Sequence, residues 1–363
     1  MKNLCNLLSG FTFGLMLSSL AHSHPPKEAF VACENSAENA VCEFNGKRGL
    51  VIGKCDSPKR EKKLVCVPDN HNSKLSHKTL SGKLSHKVPA RREHQVIQTE
   101  YPGDLRTATQ LPVADSYVET RERDQIRIIY SNGIADHATG SFPNPGNPHQ
   151  IEAQNYKYSL SSKPAQNLHS TDARGMVFGV AVNGVPFDPG AAEWYQGNPQ
   201  SGWNYNALAG AIPLGLDENH AHVQPGGAYH YHGLPMGLLD SLNLNQESHS
   251  PILGWAADGF PIYALYGFDS SSRVVAEMRS GYQLKSGNRP VGSGQPGGYY
   301  DGTFVEDYEY NPLQADLDEC NGRFTRTPEF PNGTYAYFLT RSFPVVPRCF
   351  MGTPSKSFYK RRA

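Results

Sequence analysis

The sequence predicts a β-rich fold: a β-sandwich-like single large domain preceded by a small disulfide-stapled module. Three observations carry this expectation. Glycine (35), proline (27) and tyrosine (19) are abundant, a composition that favours short strands and turns over long helices. Aromatic and β-branched runs alternate with turn residues, as at 126–130, 177–182 and 262–266, and Asn183-Gly184 is a turn signal directly after the second run. No long amphipathic helical pattern stands out.

Taken in chain order, residues 1–23 read as a secretory signal peptide. Lys2 precedes an apolar run from Leu4 to Ala21, and small residues follow at Ala21 and Ser23. Cleavage after Ala21 and cleavage after Ser23 both satisfy the small-x-small pattern. No later stretch reaches the ~20 apolar residues needed to span a bilayer, so an exported chain, periplasmic or secreted, is expected.

Residues 24–69 form the small cysteine-rich module. Past the leader the chain holds Cys33, Cys42, Cys55, Cys66, Cys320 and Cys349, an even set in a chain bound for oxidising surroundings, which predicts three disulfides. The first four should staple one small unit in one of about three pairings. The last two should pair with each other. Residues 70–100 contain little to bury and carry a repeated Lys-Leu-Ser-His-Lys at 74–78 and 83–87. They read as a basic linker, with contact to an anionic surface through residues 74–92 as the functional alternative. A formal net charge of zero with 19% charged residues gives no electrostatic footprint for nucleic acid.

Residues 101–363 form the large β-rich domain, and it holds an internal echo. Leu216-Asp217-Glu218-Asn219 leads to Gly227-Ala228-Tyr229-His230-Tyr231-His232, and Leu317-Asp318-Glu319-Cys320-Asn321 leads to Gly333-Thr334-Tyr335-Ala336-Tyr337-Phe338. Read as two related hairpins, the echo leaves imidazoles in the first and apolar side chains at the matching places in the second. Read as chance in Tyr- and Gly-rich sequence, it places nothing.

Four of the fourteen histidines, His220, His222, His230 and His232, fall within thirteen residues around Gln224-Pro225-Gly226-Gly227. Residues two apart on a strand share a face, so each pair presents two rings on one side. A three-residue loop Pro225-Gly226-Gly227 would set His222 opposite His230 and His220 opposite His232; a two- or four-residue loop would send the pairs to opposite faces. The three-residue loop wants positive φ at its last position, where Gly227 stands. Four imidazoles on one face suit copper or zinc, with Asp217, Glu218 and Asp258 as candidates to orient the rings. Tyr229 and Tyr231 would pack on the opposite face.

Tyr229-His230-Tyr231-His232-Gly233-Leu234-Pro235, together with 217–222, 252–263, 282–287, 317–322 and Pro344, Pro347 and Cys349, resembles the YHYH-domain proteins, a largely uncharacterised exported family. The resemblance spans roughly residues 125 to 352. Members of that family often carry histidine in the later Gly-x-Tyr-x-Tyr stretch, where this chain has Ala336 and Phe338. The resemblance implies a domain and no activity.

Three functions are compatible with these residues. One is an exported copper- or zinc-binding protein using all four histidines. Another is a metal-dependent enzyme with three protein ligands and an open position. The last is an extracellular structural or adhesive module, which requires buried, fully hydrogen-bonded imidazoles. The Gly292-Ser293-Gly294-Gln295-Pro296-Gly297 run fits a nucleotide-loop pattern only in its glycines: a proline interrupts it and no helix pattern follows.

Overall fold

The computed structural model describes residues 27–34, 37, 40–46, 49–57, 64–68, 105–269 and 274–360. The expected leader at 1–23 and basic linker at 70–100 lie outside the described residues, as do residues 74–92 as a surface contact. The chain divides into two compact units, within 1–91 and 92–363. Among the described residues, no helix is long and apolar enough to cross a membrane.

In the first unit a short helix α1 (Lys27–Val31) accompanies an antiparallel sheet of β1 (Val41–Gly46), β2 (Gly49–Asp56) and β3 (Val65–Pro68). The four cysteines pair as Cys33–Cys55 and Cys42–Cys66. All four are buried, in a core cluster that among the described residues also holds Ala29 and Val65, with Phe30, Ala32 and Leu64 packed against it. A unit this small relies on such bridges for its stability. By the loop-entropy relation each contributes about 3 kcal/mol.

The second unit begins with a three-stranded antiparallel sheet of β4 (Val118–Arg123), β5 (Ile126–Ser131) and β6 (Tyr156–Ser161). Then come β7 (Thr171–Asp172), β8 (Gly179–Ala181), β9 (Pro186–Phe187), β10 (Ala221–Val223), β11 (Tyr229–Tyr231), α2 (Met236–Ser241), β12 (Gly254–Ala256) and β13 (Pro261–Ala264). Peripheral ribbons follow: β14 (Tyr266–Phe268), β15 (Val275–Glu277), β16 (Tyr282–Leu284), β17 (Val291–Gly292), β18 (Gln295–Pro296) and β19 (Tyr308–Tyr310). The chain ends with β20 (Gly322–Thr325), β21 (Thr334–Leu339) and β22 (Cys349–Phe350), the last pairing with β7. Cys349 bridges to Cys320, as expected.

The main sheet runs β10-β11-β9-β8-β12-β13-β21-β20. Ile129, Tyr158 and Leu160 of the three-stranded sheet share one core with Phe178, Val180, Tyr337, Phe350 and Phe358. Tyr158 stacks on Phe358 at 4.5 Å and Phe178 on Phe350 at 5.1 Å. Two sheets burying their inner faces against one another make the sandwich-like core that the alternation predicts.

The echo is structural. In each half, an antiparallel hairpin (β8–β9, or β12–β13) sits beside a second hairpin (β10–β11, or β20–β21) through a parallel contact, β11 on β9 and β21 on β13. The first hairpins turn at Asn183-Gly184 and Asp258-Gly259, with φ of 81° and 96° at the glycines. A Cβ at Gly259 would stand 2.2 Å from Ser161 O, so no other residue fits there. Asn183 Nδ2 donates to Tyr231 Oη (2.9 Å), and in the other half Tyr337 Oη donates to Asp258 Oδ2 (2.6 Å). Asp217 accepts from Tyr229 Oη and Asp318 from Tyr335 Oη. His220 and Asn321 hold equivalent left-handed turns at φ 52° and 54°. At the centre β8 and β12 pair so that Val180 faces Trp255, with Ala181 opposite Gly254 and Gly179 opposite Ala256. That register is symmetric about Val180 and Trp255, which gives the sheet a pseudo-two-fold axis.

Candidate metal centre

The β10–β11 hairpin has the register that the loop chemistry predicts. His222 lies opposite His230, and Val223 opposite Tyr229. Gln224 N–H donates to Ala228 O, which leaves Pro225-Gly226-Gly227 as a three-residue loop. Gly227 has φ 77°, and a Cβ there would come within 2.5 Å of Glu152 Cβ.

Strand alternation then puts Tyr229 and Tyr231 on one face and His222, His230 and His232 on the other. The tyrosines do more than fill space. Tyr231 Oη meets His137 Nε2 at 2.6 Å, and Tyr229 Oη donates to Asp217 at 2.7 Å. Each buried hydroxyl therefore has a partner, which removes the cost of placing it in the core.

On the opposite face three ring nitrogens converge. His232 Nε2 lies 3.0 Å from His230 Nε2 and 3.1 Å from His222 Nε2. One ligand atom from each of the three lies within 4.8 Å of the others. His222 Nδ1 contacts Leu214 O at 3.0 Å and His230 Nδ1 contacts Ala228 O at 3.1 Å. A carbonyl only accepts, so both Nδ1 atoms carry the proton and both Nε2 atoms present lone pairs. A neutral His232 can satisfy at most one of those lone pairs, and its own Nδ1 is buried without a partner among the described residues. With its proton on Nδ1, His232 presents a third lone pair to the same point, and three such nitrogens are the donor set of a cation. At a bond length of about 2.0–2.1 Å, tetrahedral coordination separates ligand nitrogens by about 3.3 Å, so a small widening of this cluster seats an ion.

Electrostatics keep the set neutral. Burial lowers the pKa of His222, and it takes those of His230 and His232 well below the ordinary histidine value. For His230, the neighbouring His222 adds to burial; for His232, both other rings do. Neutral imidazole is the form that binds metal.

The structure corrects the expected ligand set at one position. The backbones of His220 and His232 are joined, His232 N–H donating to His220 O at 2.8 Å, as the register requires. The left-handed turn at His220 nevertheless takes its ring away from the other three. Its Nδ1 contacts Leu234 O at 2.8 Å, and its ring nitrogens are not part of the convergent group.

The three acids proposed from the sequence also do other work. Asp217 is fully buried and accepts from Gly140 N, Asn219 N, Ala221 N and Tyr229 Oη. Asp258 holds Tyr337 Oη and Gly352 N in the other half of the sheet. Glu218 is exposed and accepts from Ala108 N. The orienting partners of the His222 and His230 rings are backbone carbonyls, which no residue-type motif reveals.

The triad opens onto a cleft of about 430 Å³ lined also by His149, Asp188, Glu193 and Lys360. None of these four stands near the histidine motif in sequence. Asp188 follows the strand after Asn183-Gly184, and Lys360 comes from the C-terminal segment, where its backbone N–H donates to Gly175 O.

A family model described as YHYH protein matches residues 157–352, more than half of the chain. No curated protein and no solved structure matches it.

Proposed function

We propose, from the premise that this chain belongs to the YHYH protein family, that it is an exported protein whose His222, His230 and His232 bind a copper or zinc ion. The convergence of three Nε2 atoms, two of them fixed as lone-pair donors by Leu214 O and Ala228 O, carries the reading. Cys33–Cys55, Cys42–Cys66 and Cys320–Cys349 support export, because such bridges persist in oxidising compartments. In a purely hydrogen-bonded cluster a neutral His232 has one N–H at most for the two lone pairs of His222 and His230, so one buried nitrogen stays unsatisfied, whereas a cation satisfies all three Nε2 atoms.

The cleft beside the triad favours a second reading, a metal-dependent enzyme in which a fourth coordination position faces substrate. Both readings meet the same first test. Elemental analysis of the exported protein, purified without affinity histidines, should find near-stoichiometric copper or zinc, lost in the His230→Ala/His232→Ala variant. A natural protein that holds neither metal and takes up neither on dialysis would leave the structural module as the function.

A further inference from the structure

Asp188 is an acid in an unusual place: it is 1% exposed and stands in the cleft of the histidine triad. Strand geometry brings it there. β9 runs parallel to β11 with Phe187 beside Tyr231, and the Asp188 N–H donates to Tyr231 O at 2.8 Å. Phe187 packs on Tyr231, their centroids 5.5 Å apart. The next residue along therefore turns to the other face, beside His232. The duplicated half repeats this placement: Tyr263 pairs with Phe338, and their rings stack at 5.6 Å. These two residues occupy the positions of Asp188 and His232.

A buried carboxylate needs a cation. Here Lys360 Nζ supplies it at 2.7 Å from Asp188 Oδ2, while Gly190 N–H donates to Oδ1 at 3.0 Å. Lys360 reaches in from near the chain terminus and is itself about one-third exposed. Its charge stands close enough to His230 and His232 to oppose their protonation.

We propose that Asp188, whose carboxylate lines the same cleft but stands outside the convergent group of three ring nitrogens while Lys360 holds it, swings in as the anionic ligand that closes the metal centre, and that Lys360 is the cation holding its place until a metal binds. The inference rests on the three-histidine reading and extends it to a His₃Asp set. On binding, the Asp188 oxygen exchanges its ion pair for a coordination bond, and the ammonium moves to solvent still protonated. One carboxylate and three neutral imidazoles suit zinc or copper. A ligand set closed in this way favours storage or transfer of the ion over catalysis at an open position.

The test uses the whole exported protein, calorimetric titration with Zn²⁺, and the visible spectrum of the Co²⁺ form with and without azide. The wild type should bind one ion and show a spectrum indifferent to azide. Asp188→Asn should bind at least about tenfold more weakly and gain an azide-sensitive spectrum, because a position has opened. Lys360→Gln should bind more tightly than wild type. If Asp188→Asn matches the wild type in affinity and azide response, the inference falls and the three-histidine site stands. Weaker binding by Lys360→Gln would overturn the placeholder role. A wild type that binds no ion removes both readings together.

Discussion

On one half of the main sheet His222, His230 and His232 gather in a cleft that Asp188 also lines; on the other, Arg323, Ala336 and Phe338 stand at the matching places and Tyr263 replaces the acid. The frames behind these positions are almost identical. Each half has an Asp at the head of the hairpin that accepts a Tyr hydroxyl and two backbone N–H groups, and each has a left-handed residue after it. What differs is the outward face. In the second half, Tyr263, Met278, Leu317, Ala336 and Phe338 close over it as a small apolar core. The fold therefore does not require histidine at these positions. A buried cluster of imidazoles that the frame can do without calls for a reason in chemistry.

The contrast can be broken at the frame. Asp217→Ala strips four donors of their acceptor in a fully buried place and should cost about 3–5 kcal/mol. Asp318→Ala, at a partly exposed carboxylate, should cost less. Equal losses in denaturant unfolding would show that the two frames bear the same load.

It can be sharpened at the face. Phe338→His puts an imidazole into a filled apolar pocket and should cost roughly 2–4 kcal/mol. The reciprocal His232→Phe, compared without metal, should cost less, about 1–2 kcal/mol, because it removes the unpartnered Nδ1 but also takes the Nε2 of His232 from the lone pairs of His222 and His230. Similar costs for the two exchanges would mean that the first half depends on its histidines for folding.

pH separates the halves more gently. The triad histidines have folded pKa values lowered by burial, so they stay neutral in the fold while the unfolded chain takes up protons near pH 6.5. Stability is then fully present above about pH 6.5 and is lost as pH falls below it. Thermal melts with a chelator present should show this fall in wild type and a shallower one in His230→Ala/His232→Ala. His220 and His222 of the first half and His249 of the second, all lowered by burial, remain to give the residual slope. Parallel slopes would mean that the triad does not titrate in this way.

The smallest effect belongs to Glu218 and its counterpart Glu319, both exposed. Glu218→Gln and Glu319→Gln should each shift unfolding by less than about 0.5 kcal/mol. Metal content should be unchanged, since neither carboxylate partners a triad ring. A loss of metal in Glu218→Gln would restore that residue to the site.

Much of this was legible from local sequence. Strand alternation and the Pro-Gly-Gly loop were enough for the register of β10–β11 and hence for three of the four imidazoles. Even cysteine number and clustering were enough for the pairing of Cys320 with Cys349, though not for the choice among the first four. His220 was misplaced because a period-two argument assumes extended backbone, and φ 52° breaks the period at that residue. Asp217 and Glu218 were drawn in by closeness in sequence. Asp188 was missed for the converse reason, since only the parallel contact of β9 with β11 brings it beside His232.

The duplicated frame is clamped by different means in its two halves. Asn219 ties the first hairpin to Ala138 O and Gly237 N through its side-chain amide; at the matching place in the second, Cys320 is bonded to Cys349. A mild reductant would cut one clamp and leave the other untouched. The half bearing the imidazoles would then outlast its twin in a hydrogen-exchange experiment, and a chain stranded among thiols would begin to open at the end farther from its chemistry.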